Sequence, residues 1–431
     1  MKKKVYTAFS VDILHDGHIN ILKYAAKYGE VIVGLLTDEA IASYKSLPHL
    51  SYQKRKYIIE NVKYVSKVIP QTTLDYTNNL KKIKPNFVVH GDDWKTGYQK
   101  KIRGNVIKTL KAWSGKLLEP KYTKNISSSI IKDEIFKMGT TPDIRKTKLK
   151  RLIDSKKIVR ILEAHNPISG LIAEKISYTN KKNLKVDFDG MWSSSLTDSS
   201  SRGKPDNQSV DYSTRYQGLN EILEVTTKPL IFDADNGGRL EHISYMVKTL
   251  ERSGVSAMII EDKIGLKKNS LFKNQKGTLQ DSIINFSKKI RKAKSSAISE
   301  DFMVIARIES FILGKGLKDA LRRAEKYSKA GADGILIHSK EKTPHEIFSF
   351  AKIYNKKNYA KPLVCVPSTY SSTYEKDLIK NNFKIVIYAN HMLRSAYPSM
   401  TKTALSILKH KRAYESEDRI SSINEIINLI K

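Results

Sequence analysis

Two short stretches hold acids and bases at spacings that suit chemistry. Asp233 and Asp235 in DADNGG are two residues apart, so on an extended chain they point to the same side, and Glu261 closes the next apolar run in EDKIGLKKNS. Three neighbouring carboxylates repel one another unless a cation lies between them. Oxygen donors without Cys or His nearby suit Mg2+ or Mn2+. Taken singly, each acid could also be a helix cap or an ion-pair partner. The second stretch also carries Lys263, Lys267, Asn269 and Ser270, and Arg307 follows in ARIES. A divalent cation with Lys, Arg, Asn and Ser describes a site for an anion such as a phosphoryl group. The glycine-led GLKK reads as a loop able to close over substrate, and Asn236-Gly237-Gly238 lets backbone approach a ligand.

A second constellation lies near the N-terminus. In LHDGH, His15 and His18 are three residues apart and share a face of a first helical turn. A helix N-terminus attracts phosphate, two imidazoles sharpen that attraction, and Gly17 between them leaves room for a ligand. Alone, such a pair could equally be structural or half of a metal site; its place between a strand and a helix favours phosphate.

The elements that must position these residues fall into two sets. VYTAFSV, EVIVGLLT and NFVVHG read as strands, with DGHINILKYAAKYG as a helix between the first two. Such alternation implies a parallel sheet with helices on its faces, here over residues 1–138. Downstream come RILEAHN, DFDGMWSS, PLIFDAD, SAMIIEDK, MVIARIES, GILIHSK, PLVCVPS and KIVIYAN, separated by helix-length segments over 157–431. Eight such units are what a (β/α)8 barrel requires, and its mouth is lined by the residues just past each strand. Those are His165, Trp192, Ser194, Asp233, Asp235, Glu261, Asp262, Arg307, Glu309 and His338. Between the two sets, residues 139–156 are polar and charged and read as a linker, with a surface helix after a turn as the alternative.

The chain has 431 residues, 77 Lys and Arg against 44 Asp and Glu, and a formal charge of +33. The basic residues are mostly lysines scattered along the whole length, without a basic block. This favours anionic small substrates over nucleic acid. The single cysteine, Cys365, cannot form an internal disulfide and suits a reducing cytoplasm. MKKKVYTAFSV lacks the apolar core of a signal peptide, and no run of about 18 apolar residues suggests a membrane span. The tail ESEDRISSINEIINLIK places Ile420, Ile423, Ile426 and Ile427 at helical spacing, as for packing on another subunit.

The segments AHNPIS, FDGMWSSSL, FDADNGG, EDKIGLKKNS, ARIES, HSK and YANH, in that order over about 158–412, resemble the phosphoenolpyruvate mutases of the isocitrate lyase superfamily. The family moves phosphorus from oxygen to carbon, converting phosphoenolpyruvate to phosphonopyruvate. The resemblance implies that Asp233 holds Mg2+, with Asp206, Asp235 and Glu261 around it through water. It implies that Trp192, Ser194 and the Ser195 amide frame the pyruvyl carboxylate, with Ser195 where a glycine is often found. Arg307, Asn269 and His338 would contact the phosphoryl group, and Lys267 would close the loop beside Ser270. The loop has no cysteine of the kind that lyases of the superfamily tend to carry, which favours the mutase; a phosphonopyruvate hydrolase or another lyase on the same barrel is the alternative. The family tends to oligomerise, which implies a dimer or tetramer.

The front segment, about 3–136, resembles the HxGH nucleotidyltransferases, and among them the cytidylyltransferases of the glycerol-3-phosphate type, through LHDGH, GLLTDE, QKRKYIIENV and FVVHGDDW. The resemblance implies a Rossmann-like domain that joins CMP from CTP to an anionic acceptor. His15, His18 and Lys45, with Mg2+, would neutralise the triphosphate, and Arg55 would be the acceptor-side cation. Asp92 and Asp93 would bind nucleotide or metal, or form a solvated turn. The family's RTxGIST loop stands here as YTKNISS, with Tyr122 for Arg, Asn125 for Gly, and Ser127 and Ser128 retained to meet phosphate. The two-domain order resembles the bifunctional fusions of phosphonate biosynthesis, of the fosfomycin-pathway type. The acceptor would then be 2-hydroxyethylphosphonate, with 2-aminoethylphosphonate or a phosphocholine-like compound as alternatives.

Overall fold

The structure is a computed structural model, which describes residues 2–96, 99–121, 139–181, 183–265, 267–270, 275 and 277–430. The chain divides into two compact units, one built on residues 1–138 and the other on most of the remainder.

The first unit is a five-stranded sheet in the order β3-β2-β1-β4-β5, every pair parallel: β1 Lys4–Phe9, β2 Glu30–Leu36, β3 Lys67–Gln71, β4 Phe87–Val89 and β5 Lys116–Leu118. Alternation along β1 sends Val5 into one core with Val31, Val33 and Leu35, and sends Tyr6 and Ala8 into a second core with Val88, Val106 and Leu110. Both faces are therefore covered, as a parallel sheet demands. The strand order reverses between β1 and β4. Open α/β sheets bind ligands beyond the carboxyl ends of the strands at such a reversal. Helix α1, Asp16–Ala26, starts there, and so does the loop after β4.

The second unit is a closed barrel of eight parallel strands: β6 Val159–Glu163, β7 Gly190–Ser193, β8 Leu230–Asp233, β9 Ala257–Glu261, β10 Met303–Ile308, β11 Gly334–Ile337, β12 Leu363–Cys365 and β13 Phe383–Tyr388. It closes where Ile385 pairs with Val159 and Tyr388 with Leu162. Cys365 is buried in β12. All eight strands coincide with the eight apolar runs of the sequence.

Residues 139–156 are not simply a connection. Pro142–Ser155 is a helix, α2 of those labelled here, with Leu149, Leu152 and Ile153 buried. Its Arg145, also buried, donates to Leu223 O (2.8 Å), to Thr226 Oγ1 (3.1 Å) and to Thr226 O, while Arg145 O accepts from Ser256 Oγ (2.9 Å). The helix thus packs on the segments leading into β8 and β9. The apolar positions Leu149, Leu152 and Ile153 share one helical face, which lies hidden among many lysines in the sequence.

The helix His391–His410 buries no residue, and the helix Ile423–Ile430 exposes Ile423 and Ile430. No helix among the described residues is long and apolar enough to cross a membrane.

Candidate active sites

The barrel's carboxyl-end mouth encloses a cavity to which nearly every strand contributes. Trp192 comes from β7, Asp233 from β8, Glu261 from β9, Arg307 from β10, and His338 from just past β11. Ser194, Ser195, Asp206, Lys267, Asn269 and Ser270 join the wall from the segments between strands. The structure therefore gathers the sequence-derived residues around one cavity. Asp235 stands at its edge, lining a smaller pocket shared with Glu261, Lys263 and Lys267.

Lys267 lies at the acidic centre. Its ammonium is 3.0 Å from Asp206 Oδ1 and also contacts Asp235 Oδ1 and Ser195 Oγ. Burial alone would raise the Asp233 carboxyl; Lys267, Arg307 and Arg215 outweigh it and hold the group at about 2. Burial would likewise lower Lys267, but Asp235, Asp233 and Asp206 raise it above its ordinary value. Asp233 Oδ2 accepts from Ser195 Oγ (3.0 Å) and Ser195 N (3.3 Å), so that amide here faces a carboxylate rather than open cavity. Asn269 Nδ2 donates to Asp206 Oδ2 (2.9 Å).

Asp233 and Asp235 come together in a way the sequence reading did not foresee. Asp235 lies past the strand end with φ +51°, and its N–H donates to Asp233 Oδ1 (3.1 Å). A left-handed turn, not strand alternation, sets their relation. Gly237 and Gly238 continue the turn with φ +76° and +64°.

The opposite wall is a buried ion network. Glu309 accepts from Arg307 Nε (2.5 Å) and Ser270 Oγ (2.7 Å), His338 Nδ1 lies 2.9 Å from it, and Lys263 Nζ lies 3.7 Å away. Burial opposes the charge of Glu309, but Arg307 and His338 hold it well below the usual carboxylate range. Burial lifts Glu261 to about 7, against the pull of Arg307 and Lys263. His338 is lowered, by burial first and Arg307 second.

Three mouth residues expected from the sequence, His165, Asp262 and Glu309, lie off the cavity wall, Glu309 as the anion of the network just described. His165 bonds Glu163 Oε1 (2.5 Å) and is not part of the cavity wall. Asp262 is fully buried, accepting from Tyr327 OH and Gln280 Nε2 (both 2.9 Å) and Arg323 (3.1 Å). The sequence reading also missed Arg215, which is buried. It donates to Asp198 (3.0 Å) and Asp235 (3.3 Å) with its guanidinium 4.4 Å from the Phe232 ring centre. It lies in a helix between strands, Tyr212–Glu224, where a search of strand ends does not look.

No three His, Cys, Asp or Glu side chains among the described residues converge as ready ligands for a metal. Asp233, Asp206 and Asp235 supply only oxygen donors around the Lys267 ammonium, the donor type that suits Mg2+.

In the first unit, His15 and His18 open α1 with ring centres 4.0 Å apart. They line a pocket with Ser10, Gly17, Lys45 and Asp93, walled by Tyr44, Tyr76 and Trp94. His90, from the loop after β4, also lines it and stacks on Trp94 at 3.8 Å. Burial, then His15 and Lys45, push His18 down to about 3, and burial lowers His15. The Nδ1 atoms of both are buried without a hydrogen-bond partner among the described residues; Asp16 Oδ1 lies 3.9 Å from that of His15. Lys45 Nζ donates to Ser10 Oγ (3.2 Å).

Arg55 departs from the expectation. It is fully buried and does not line this pocket. Its guanidinium donates to Leu36 O (2.9 Å), Leu50 O (3.2 Å), Asp38 Oδ1 (2.8 Å) and Ser10 O. With its donors taken by the ends of β1 and β2 it braces loops rather than presenting a charge to an acceptor. Ser127 and Ser128, with Tyr122 and Asn125, lie outside the described residues.

An eight-stranded barrel whose mouth gathers carboxylates, lysines, an arginine and a histidine, joined to a Rossmann-like unit with an HxGH helix start, defines a two-domain α/β enzyme. Residues 149–408 match the family model for phosphoenolpyruvate phosphomutase, and the chain belongs to that family. Residues 10–134 match the cytidylyltransferase-like family, so the protein is a fusion of the two domain types. It is similar to the phosphoenolpyruvate phosphomutase of Tetrahymena pyriformis, 34% identical over 66% of this chain and 90% of that protein. It is also similar to a phosphonopyruvate hydrolase whose crystal structure holds oxalate and Mg2+. There the identity is 33% and the TM-score 0.59, covering 67% of this chain and 95% of the other. The front segment is 32% identical to the glycerol-3-phosphate cytidylyltransferase of Bacillus subtilis, over 31% of this chain and 97% of that protein.

Proposed function

We propose that the barrel isomerises phosphoenolpyruvate to 3-phosphonopyruvate, and that the first unit transfers CMP from CTP to a small phosphonate such as 2-hydroxyethylphosphonate. The observation that carries the barrel reading is the convergence of Lys267, Asn269 and Ser270 on the acids and cations of one cavity. In the isomerisation the O–P bond of the enol ester breaks and a C–P bond forms at the methylene carbon, with no net proton change. The enzyme therefore has to hold pyruvate enolate still while the phosphoryl group passes from oxygen to carbon. Trp192, Ser194 and Ser195 frame the carboxylate end, and Arg307, His338 and Asn269 hold the phosphoryl end, so that both stay in reach. Asp233, with Asp206, Asp235 and Glu261 through water, would hold Mg2+, which when bound neutralises charge on the enolate and carboxylate oxygens. Lys267 balances the same acids and shields the enolate from water.

In the first unit, a phosphonate oxygen attacks the α-phosphorus of CTP, the α–β bridge breaks and pyrophosphate leaves. His15, His18 and Lys45 face the pocket at a helix N-terminus, where they neutralise the triphosphate, with Mg2+ as the metal of that step. 2-Aminoethylphosphonate and phosphocholine-like acceptors fit the same chemistry. The exposed apolar residues of the helices His391–His410 and Ile423–Ile430 support assembly of two or more copies, and the lone cysteine supports a reducing, cytoplasmic setting.

Hydrolysis of phosphonopyruvate is the second reading, favoured by the similarity to the hydrolase. The two separate in 31P NMR of the full chain with phosphonopyruvate and Mg2+. Conversion to phosphoenolpyruvate supports the mutase; inorganic phosphate with pyruvate overturns it in favour of the hydrolase. CTP and each candidate phosphonate follow in the same tube, read by a new CMP-phosphonate resonance and by pyrophosphate.

A further inference from the structure

Glu309 lies behind the groups assigned to the phosphoryl end and is absent from the cavity wall. It has no exposed surface, yet its two oxygens meet three of the groups that form that wall: Arg307 (2.5 Å) and His338 (2.9 Å) on Oε1, and Ser270 (2.7 Å) on Oε2. Its own N–H donates to the buried Asp262 Oδ1 (2.9 Å), which fixes the backbone from which the carboxylate projects. One buried anion thus ties a barrel arginine, a histidine from the next strand end and a serine of the loop after β9.

The bonds around His338 Nδ1 set up a choice. Arg307 NH2 lies 2.9 Å from it and can only donate; Glu309 Oε1 lies 2.9 Å from it and, ionised, can only accept. The ring satisfies one or the other. Arg307 NH2 has alternatives in Ser270 Oγ (2.9 Å) and Glu261 Oε2 (3.4 Å), and an N–H to a carboxylate is the stronger bond. Nδ1 therefore carries the hydrogen and donates to Glu309, leaving Nε2 as the ring's other face.

We propose that Glu309 is a positioning residue that fixes the tautomer of His338 and the plane of the Arg307 guanidinium, and so sets the phosphoryl end of the barrel site. It acts through those two side chains and does not touch substrate. The inference rests on the phosphoryl-binding reading of this cavity for its kinetic consequence, but not for its tautomer consequence.

The test uses the full chain. Histidine-selective 15N NMR without substrate, with His338 assigned by loss of its signal in His338→Gln, is expected to show the Nδ1–H form. In Glu309→Met, of similar shape but without an acceptor, only Arg307 remains beside Nδ1, and the ring is expected to change to Nε2–H. In the isomerisation, kcat should fall about a hundredfold in Glu309→Met and about tenfold in Glu309→Gln, with KM within a few-fold. An unchanged tautomer in Glu309→Met, or kcat within twofold of the parent in both variants, overturns the proposal. Should Glu309→Met fail to fold, Glu309→Gln decides on kcat alone. A parent enzyme inactive on phosphonopyruvate, with the tautomer change intact, would instead count against the mutase reading and leave the positioning role standing.

Discussion

On the proposed functions, the two candidate sites meet the same problem, an anionic phosphorus compound, with opposite electrostatics. The barrel collects full charges and buries them already paired: Lys267 among Asp206, Asp233 and Asp235, and Arg307 with Glu309 and Glu261. The front pocket offers Lys45 and neutral, partly unsatisfied imidazoles against aromatic walls. The proposed reactions account for the difference. Moving a phosphoryl group within one small molecule requires a fixed field with little reorganisation, which pre-paired buried ions supply. A nucleotidyl transfer brings its own multiple charges and metal, so the protein can leave donors waiting for them.

The sharpest way to break the comparison is to disable each site alone. Asp233→Ala is expected to lower the barrel reaction about a thousandfold or more and leave cytidylyl transfer within twofold; His18→Ala is expected to do the reverse. Both are measured on one preparation by 31P NMR and by pyrophosphate release. Loss of both activities from either change would show that the sites are not independent.

Next in size is Arg307→Lys. A lysine keeps the charge but cannot reach Glu309, Ser270 and His338 with one planar fork, so kcat/KM of the barrel reaction should fall about a hundredfold. A value within threefold would mean that charge alone suffices at this position and that the fixed geometry of the network is irrelevant.

A (β/α)8 barrel brings strand ends to one mouth, so topology alone places DADNGG, EDK, ARIES and HSK together, but it does not tell that Asp262 and Glu309 lie behind the cavity wall. Asp235 lies beside Asp233 through a left-handed turn, which cannot be seen in an alternation pattern. Arg215 is invisible in the sequence because it reaches Asp235 from a helix, and over 139–156 the linker reading outweighs the helix alternative because the helix's apolar face is narrow among lysines. In the front unit the histidine pair was legible from three-residue spacing. Arg55 was not, because an arginine bound to backbone carbonyls looks the same in sequence as one awaiting a substrate.

That ambiguity yields the third prediction. Arg55→Lys should destabilise the front unit by about 3 kcal/mol, because a buried guanidinium with several carbonyl partners cannot be replaced by one ammonium. At a temperature where the variant is folded, KM for the phosphonate acceptor should stay within threefold. Urea unfolding followed by fluorescence in a Trp192→Phe background reports this unit alone, since the remaining tryptophans, Trp94 and Trp113, both belong to it. Unchanged stability with a tenfold rise in acceptor KM would restore Arg55 as a binding cation.

The smallest effect, and the one that tests the neutral character of the front pocket directly, is on pH. His18 is pushed from its ordinary 6.5 to about 3 by burial, His15 and Lys45. Between those values the unfolded chain binds a proton that the folded chain refuses. The contribution is therefore fully present above about pH 6.5 and declines as pH falls towards 3, with a slope of at most about 1.4 kcal/mol per pH unit. In the Trp192→Phe background, the front unit's urea midpoint should fall between pH 6.5 and 5, and His18→Asn should flatten that fall. The imidazole C2–H resonance of His18 should not titrate over the same range. A resonance that moves with a midpoint above pH 5.5 would mean the ring is readily charged, and the contrast with the barrel's pre-paired ions would shrink to one of number rather than kind.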